Sequence, residues 1–125
     1  MILVRDLYLL VRDDQDAVRI CANNSCVALA SVLSEPDRVT LILPLFLELA
    51  SDNSWRVRFT TVSEIGVICN LFSKDIIETK LLPEYLHLLQ DPEVEVRTAA
   101  ASSLSKICKY LEGKVIAENV VKLLG

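Results

Sequence analysis

The chain has 125 residues, enough for one ordinary domain or for a few copies of a small repeat. Apolar residues make up 52% of it but aromatics only 6%, so a core must come from Leu, Val, Ile and Ala, and 3 Gly with 4 Pro leave too little turn chemistry for an all-β sandwich or barrel. Thirteen Lys and Arg against 17 Asp and Glu give a net charge of −4 without a long basic run, which argues against nucleic acid and anionic membrane as partners.

Along the chain the apolar residues keep helical spacing. Residues 1–12 read as the end of a first helix, and the polar run 13–16 as a turn. Residues 18–33 are apolar at 18, 22, 26, 29, 30 and 33, the stripe of a helix burying one face. A break at 34–37 carries Pro36 near the first turn of the next helix. Residues 37–50 are apolar at 39, 41, 42, 43, 45, 46, 47 and 49, which is broader than one stripe and implies burial from two sides. The turn at 51–54 offers Asp52 or Ser54 as a cap. Further helices are predicted near 54–72, 75–89 and 93–111, with the start of another at 115–124. Pro44 and Pro83 fall inside the first helix of their pairs, where a missing N–H predicts a kink.

Arg5, Asp6, Glu48 and Asp75 interrupt every apolar run before the ~18 residues of a membrane span. Met1 to Asp6 lacks the layout of a secretory signal, and the apolar content is too high for disorder. Together these features point to a soluble, intracellular, mostly helical chain.

Compared with itself, the chain repeats. The segments at 13–19, 52–58 and 91–97 share Asp, then four variable residues, Val and Arg, and Val18, Val57 and Val96 are each 39 residues apart. Cys26, Ile65 and Leu104 keep that step, as do Leu29, Ile68 and Ile107, then Ala30, Cys69 and Cys108, then Leu33, Phe72 and Leu111. Pro44 falls in line with Pro83. A helix pair of this size cannot bury its apolar face alone, so the pattern predicts an all-α fold, an α-solenoid of about three stacked antiparallel helix pairs. The repeats are expected at about 1–34, 35–73 and 74–112, with the start of a further one at 113–125. Neither end reads as a polar cap, which suggests a segment of a longer array.

The order Pro, Asp, Arg at Pro44, Asp52 and Arg58, and again at Pro83, Asp91 and Arg97, resembles the HEAT repeat. The first copy has Arg5 where the proline belongs but keeps Asp13 and Arg19. Asp14 to Arg19, Ser25 to Ala30, Ser54 to Phe59 and Glu95 to Ser102 resemble the HEAT-repeat scaffold subunits of type 2A protein phosphatases. The resemblance covers nearly the whole chain, and Ser54-Trp55-Arg56-Val57-Arg58 is its most specific part. It implies a place in the middle of such an array. It also implies a structural ladder of Asp13, Arg19, Asp52, Arg58, Asp91 and Arg97 between successive turns. The implied partners are a phosphatase regulatory subunit and, through other repeats, the catalytic subunit. The implied location is cytoplasmic, with the nucleus as a second compartment. The alternative is a HEAT or armadillo-type binding module of another system, such as a nuclear transport receptor or a coat adaptor.

The residues that such docking needs lie in the turns. Trp55 beside Arg56 has the composition of an interface hot spot, though the indole can equally pack on the neighbouring repeat and stiffen the turn. Val57 is expected in the core, which turns Arg56 away from it. The same reasoning puts Asp14, Gln15, Asn53, Ser54, Glu93 and Glu95 on one acidic ridge punctuated by Arg, suited to a basic or mixed-charge surface. Catalysis has no evident basis. His87 is the only histidine, and no nucleophile is expected beside it. The glycines at 66, 113 and 125 form no phosphate loop. Cys21, Cys26, Cys69 and Cys108 lack zinc or secreted-disulfide spacing and read as reduced, buried thiols. No metal or cofactor is expected.

Overall fold

The computed structural model describes residues 4–111, and within them the chain is all-α, an α-solenoid of about three stacked helix pairs. The first pair is α1 (Val4–Val11) and α2 (Asp16–Val32). The first helix of the second pair begins as α3 (Glu35–Asp37), passes through a π-helical turn (Arg38–Ile42) and continues as α4 (Leu43–Ala50). Its partner is α5 (Trp55–Ser63) followed by α6 (Ile65–Cys69). The third pair repeats this as α7 (Lys74–Ile76), a π turn (Ile77–Leu81) and α8 (Leu82–Leu89), then α9 (Val94–Ser102) and α10 (Leu104–Cys108). The helix expected at 115–124 and the further repeat at 113–125 lie outside the described residues. Among the described residues no helix is long and apolar enough to cross a membrane.

Stacking follows chain order. α1 packs on α2 and α4, α4 on α8, α2 on α5, α5 on α9 and α6 on α10, so first helices form one row and second helices another. The core runs between the rows through Leu7, Cys26, Leu45, Phe46, Leu49, Val57, Ile68, Tyr85, Val96 and Ile107, all fully buried. Tyr85 places its hydroxyl in this interior by donating to the Ala100 carbonyl at 2.6 Å, because a buried phenol needs a partner.

Three expectations about the elements change. Each proline is preceded by a wider turn. The missing N–H of Pro44 and Pro83 is met by widening the turn before each, so that Leu43 N–H donates to the Arg38 carbonyl and Leu82 N–H to that of Ile77, five residues back. This relieves the clash of a proline ring with the preceding turn. The second helices of the last two pairs are not continuous either. They are interrupted at Glu64 and Ser103, both near φ −90° and ψ 0°. Thr60, Thr61 and Ser63 donate their hydroxyls to the carbonyls four residues back, and Ser103 does the same to Ala99, a bond that bends helices. In α2 the places of Thr60, Thr61 and Ser63 are taken by Cys21, Ala22 and Asn24, and α2 runs unbroken.

Val18 is the third departure. Val57 and Val96 are buried, but Val18 is only half-buried. The number of flanking second helices does not set this difference, because among the described residues α2 and α9 each have α5 alone, and Val96 is fully buried. The cysteines also divide. All four are free thiols; Cys26 and Cys69 are buried, Cys108 is partly covered, and Cys21 is exposed on the outward side of α2. Burial pushes the Cys26 and Cys69 thiols up to about 12, so they are unreactive at neutral pH.

Candidate docking ridge

The turns that join the helices of each pair, at 12–15, 51–54 and 90–93, are fixed by one repeated device. In each, the Asp side chain accepts the N–H two residues on: Gln15 to Asp13, Ser54 to Asp52 and Glu93 to Asp91, at 2.8–2.9 Å. This local bond is why Asp opens the turn. In each, too, the Arg six residues later donates Nη1 to that Asp's own carbonyl at 2.7 Å: Arg19 to Asp13, Arg58 to Asp52 and Arg97 to Asp91.

The remaining guanidinium nitrogens reach the next repeat. Arg19 donates Nε and Nη2 to the two carboxylate oxygens of Asp52 at 2.8 and 3.0 Å, and Arg58 does the same to Asp91 at 2.7 and 3.0 Å. These are two-pronged, charge-assisted contacts with largely covered side chains, 15% exposed for Arg58 and 5% for Asp91. The Asp91 hydrogen bond raises the Arg58 guanidinium, and the Asp52 hydrogen bond that of Arg19. Burial alone favours protonated Asp91, but hydrogen bonds from Arg58 and the Glu93 N–H, with the charges of Arg58 and Arg97, outweigh it and hold the carboxyl below its ordinary value. By contrast, the Arg12–Glu48 pair along the same edge is 59% and 42% exposed and contributes little.

On this frame Asp14, Gln15, Asn53, Arg56 and Glu95 are exposed, while Ser54, Trp55 and Glu93 are half-buried. Ser54 and Glu93 are the residues before α5 and α9, and neither caps through its side chain. Ser54 instead donates its hydroxyl to Asp16 of the preceding repeat at 2.9 Å. Trp55 is not a turn residue but the first residue of α5, packed partly on the core and edge-on to Phe59 with ring centroids 6.3 Å apart. Arg56 lies over the Trp55 ring at 5.3 Å and within 3.8 Å of the Asp16 carboxylate. It is 64% exposed, so it is presented to solvent in a held posture rather than left free.

Sequence spacing missed two contributors. Asp16 joins the first and second turns through Ser54 and Arg56, yet it lies outside the repeated columns. Arg38 bridges the opposite ends of the second helices, donating to the carbonyls of Ala30 at 2.6 Å and Leu71 at 3.0 Å. One period later the residue is Ile77, so the column gave no hint of it.

Stacked pairs with this Asp–Arg frame define a class. Residues 42–72 match the HEAT repeat family. A more particular family, described as PPP2R1A-like HEAT repeat, matches residues 74–124, which include α7 to α10. Compared with curated proteins, the chain matches none. HEAT repeats generally mediate protein–protein interaction.

Proposed function

We propose that the chain is a non-catalytic scaffold segment of a serine/threonine protein phosphatase type 2A complex, docking a regulatory subunit along the ridge of turns. The observation that carries this reading is the register of the ridge. The Arg19–Asp52 and Arg58–Asp91 contacts lock three turns to one another, so Asp14, Gln15, Asn53, Trp55, Arg56, Glu93 and Glu95 meet a partner as one surface whose geometry is set beforehand. Such preorganisation lowers the ordering cost of binding. The PPP2R1A-like match over residues 74–124 supports the choice of phosphatase. The catalytic subunit is assigned to other repeats of the array, and the complex to the cytoplasm and nucleus.

The experiment is capture of purified type 2A regulatory subunits by the chain and by a Trp55→Ala, Arg56→Ala double variant. Loss of an aromatic–Arg hot spot predicts at least about tenfold weaker capture, with helicity by circular dichroism unchanged. If capture survives intact, the ridge is not the docking surface. If helicity collapses, those two residues are structural.

A further inference from the structure

Two grooves of about 510 and 480 Å³ lie side by side between the second helices of the last two pairs and share Ser63 and Lys106. The first is walled by Phe59, Val94 and Ala99, and the second by Gly66, Val67 and Tyr110. Five large apolar side chains are exposed among the described residues, and three of them, Phe59 at 40%, Val67 at 47% and Val94 at 55%, line this one channel. Scattered exposed apolar residues need no explanation, but their gathering in one concave feature does.

The channel is also polarised. Its ridge end carries Glu95, and its far end carries Lys106 and Lys109 against the single acid Glu64. Both lysines are exposed, and neither makes a hydrogen bond or ion pair among the described residues. Gly66 keeps the floor tight there, since a Cβ at that position meets the Lys106 side chain at 3.2 Å. Fifteen residues at the helical rise give a contour of at most about 22 Å from Val94 to Lys109, and the break between α9 and α10 at Ser103 makes the straight span shorter than that. Neighbouring helices spaced ~8–10 Å apart accept a third by setting its side-chain ridges in the groove between them.

We infer that this channel docks an amphipathic helical segment of a protein partner, with its apolar face on Phe59, Val67 and Val94 and with carboxylates at the end lying over Lys106 and Lys109. Charge complementarity selects the occupant: an acidic end pairs two lysines that make no ion pair among the described residues, while the same acids placed at the Val94 end meet Glu95. The apolar stripe of such a segment supplies anchors at i, i+4 and i+7. This surface lies along the helices rather than across the turns, and the inference stands independently of which complex the ridge serves.

Three labelled 15-residue peptides test it, sharing one leucine stripe and ending in three Glu, three Gln or three Lys. Fluorescence anisotropy with the full chain should rank them Glu, Gln, Lys, with about tenfold between the extremes for two solvent-facing ion pairs. A Lys106→Glu, Lys109→Glu variant should reverse that order, and Val94→Asp should abolish binding of all three, with circular dichroism unchanged in each. Absence of saturable binding overturns the inference, and so does binding that ignores peptide charge or survives Val94→Asp. Co-sedimentation of the chain with phosphatidylserine vesicles in place of peptide binding also overturns it, because the apolar and cationic groups then serve a lipid surface.

Discussion

At the scale of single residues, Asp91 shows how much one side chain carries. It turns the backbone through the Glu93 N–H, accepts Arg97 on its carbonyl, and receives both prongs of Arg58 while 6% exposed. Its carboxyl is held below the ordinary value of 3.8, so in acid the unfolded chain binds the proton more readily than the folded one. The stability this contributes is complete above that ordinary value and is lost as pH falls through the folded one. Urea unfolding followed from pH 6 downward should therefore show a steep acid loss that Asp91→Asn flattens. The variant should also be less stable at neutral pH by about 3 kcal/mol, the cost of leaving a largely covered guanidinium short of its partner. An identical acid slope in the variant removes Asp91 from this role. The Asp and Arg positions were legible because turn chemistry and charge pairing admit few other residue types. Val18 was misjudged because equal spacing does not guarantee equal burial: it keeps the column of Val57 and Val96 yet stays half-buried. Arg56 was placed on the surface correctly from the inward direction of Val57, but its posture over Trp55 and beside Asp16 depends on a residue 40 positions earlier.

At the scale of elements, apolar periodicity located every helix pair within the described residues but not the irregularities inside them. Proline was visible; that the chain absorbs it with a wider turn upstream was not, since widening depends on whether the surrounding core accommodates an extra residue in the turn. The breaks at Glu64 and Ser103 had a readable signal in the run of Thr and Ser hydroxyls, which compete for helix carbonyls. Arg38 had none. Its guanidinium closes the exposed carbonyl ends of α2 and, through Leu71, the segment after α6, where a positive charge also complements the helix dipole. Arg38→Met keeps most of the side-chain length but removes the donors, and it should cost about 2 kcal/mol in urea unfolding, the scale of hydrogen bonds made by a charged donor. The reverse change one period later, Ile77→Arg, should not restore that loss, because Ile77 is fully buried and has no place for a guanidinium. A neutral Arg38→Met result means that water satisfies those carbonyls equally well.

At the scale of the whole molecule, each pair touches only its neighbours, so stability is a sum of layer terms and interface terms rather than the property of one core. The middle layer has two interfaces, and the Arg–Asp contacts on either side of it run through Asp52 and Arg58 of that layer. Trp55 also lies in that layer and reports on it by fluorescence, since it is the only tryptophan. Leu7→Ala and Ile68→Ala both open cavities at sites at most 1% exposed, each costing about 2–5 kcal/mol locally. Their consequences should differ. In Leu7→Ala the first layer frays early, so circular dichroism loses part of its signal while the Trp55 transition stays near that of the unaltered chain. In Ile68→Ala the middle layer weakens, and with it the face it turns to the third pair; the Trp55 midpoint falls, and the urea transition broadens with a smaller slope because the layers no longer unfold together. Coincident transitions displaced equally by both substitutions describe one cooperative globule, and they refute a layered stack. The layered outcome matters for binding, because a surface assembled from three turns is only as coherent as the interfaces that hold those turns in register.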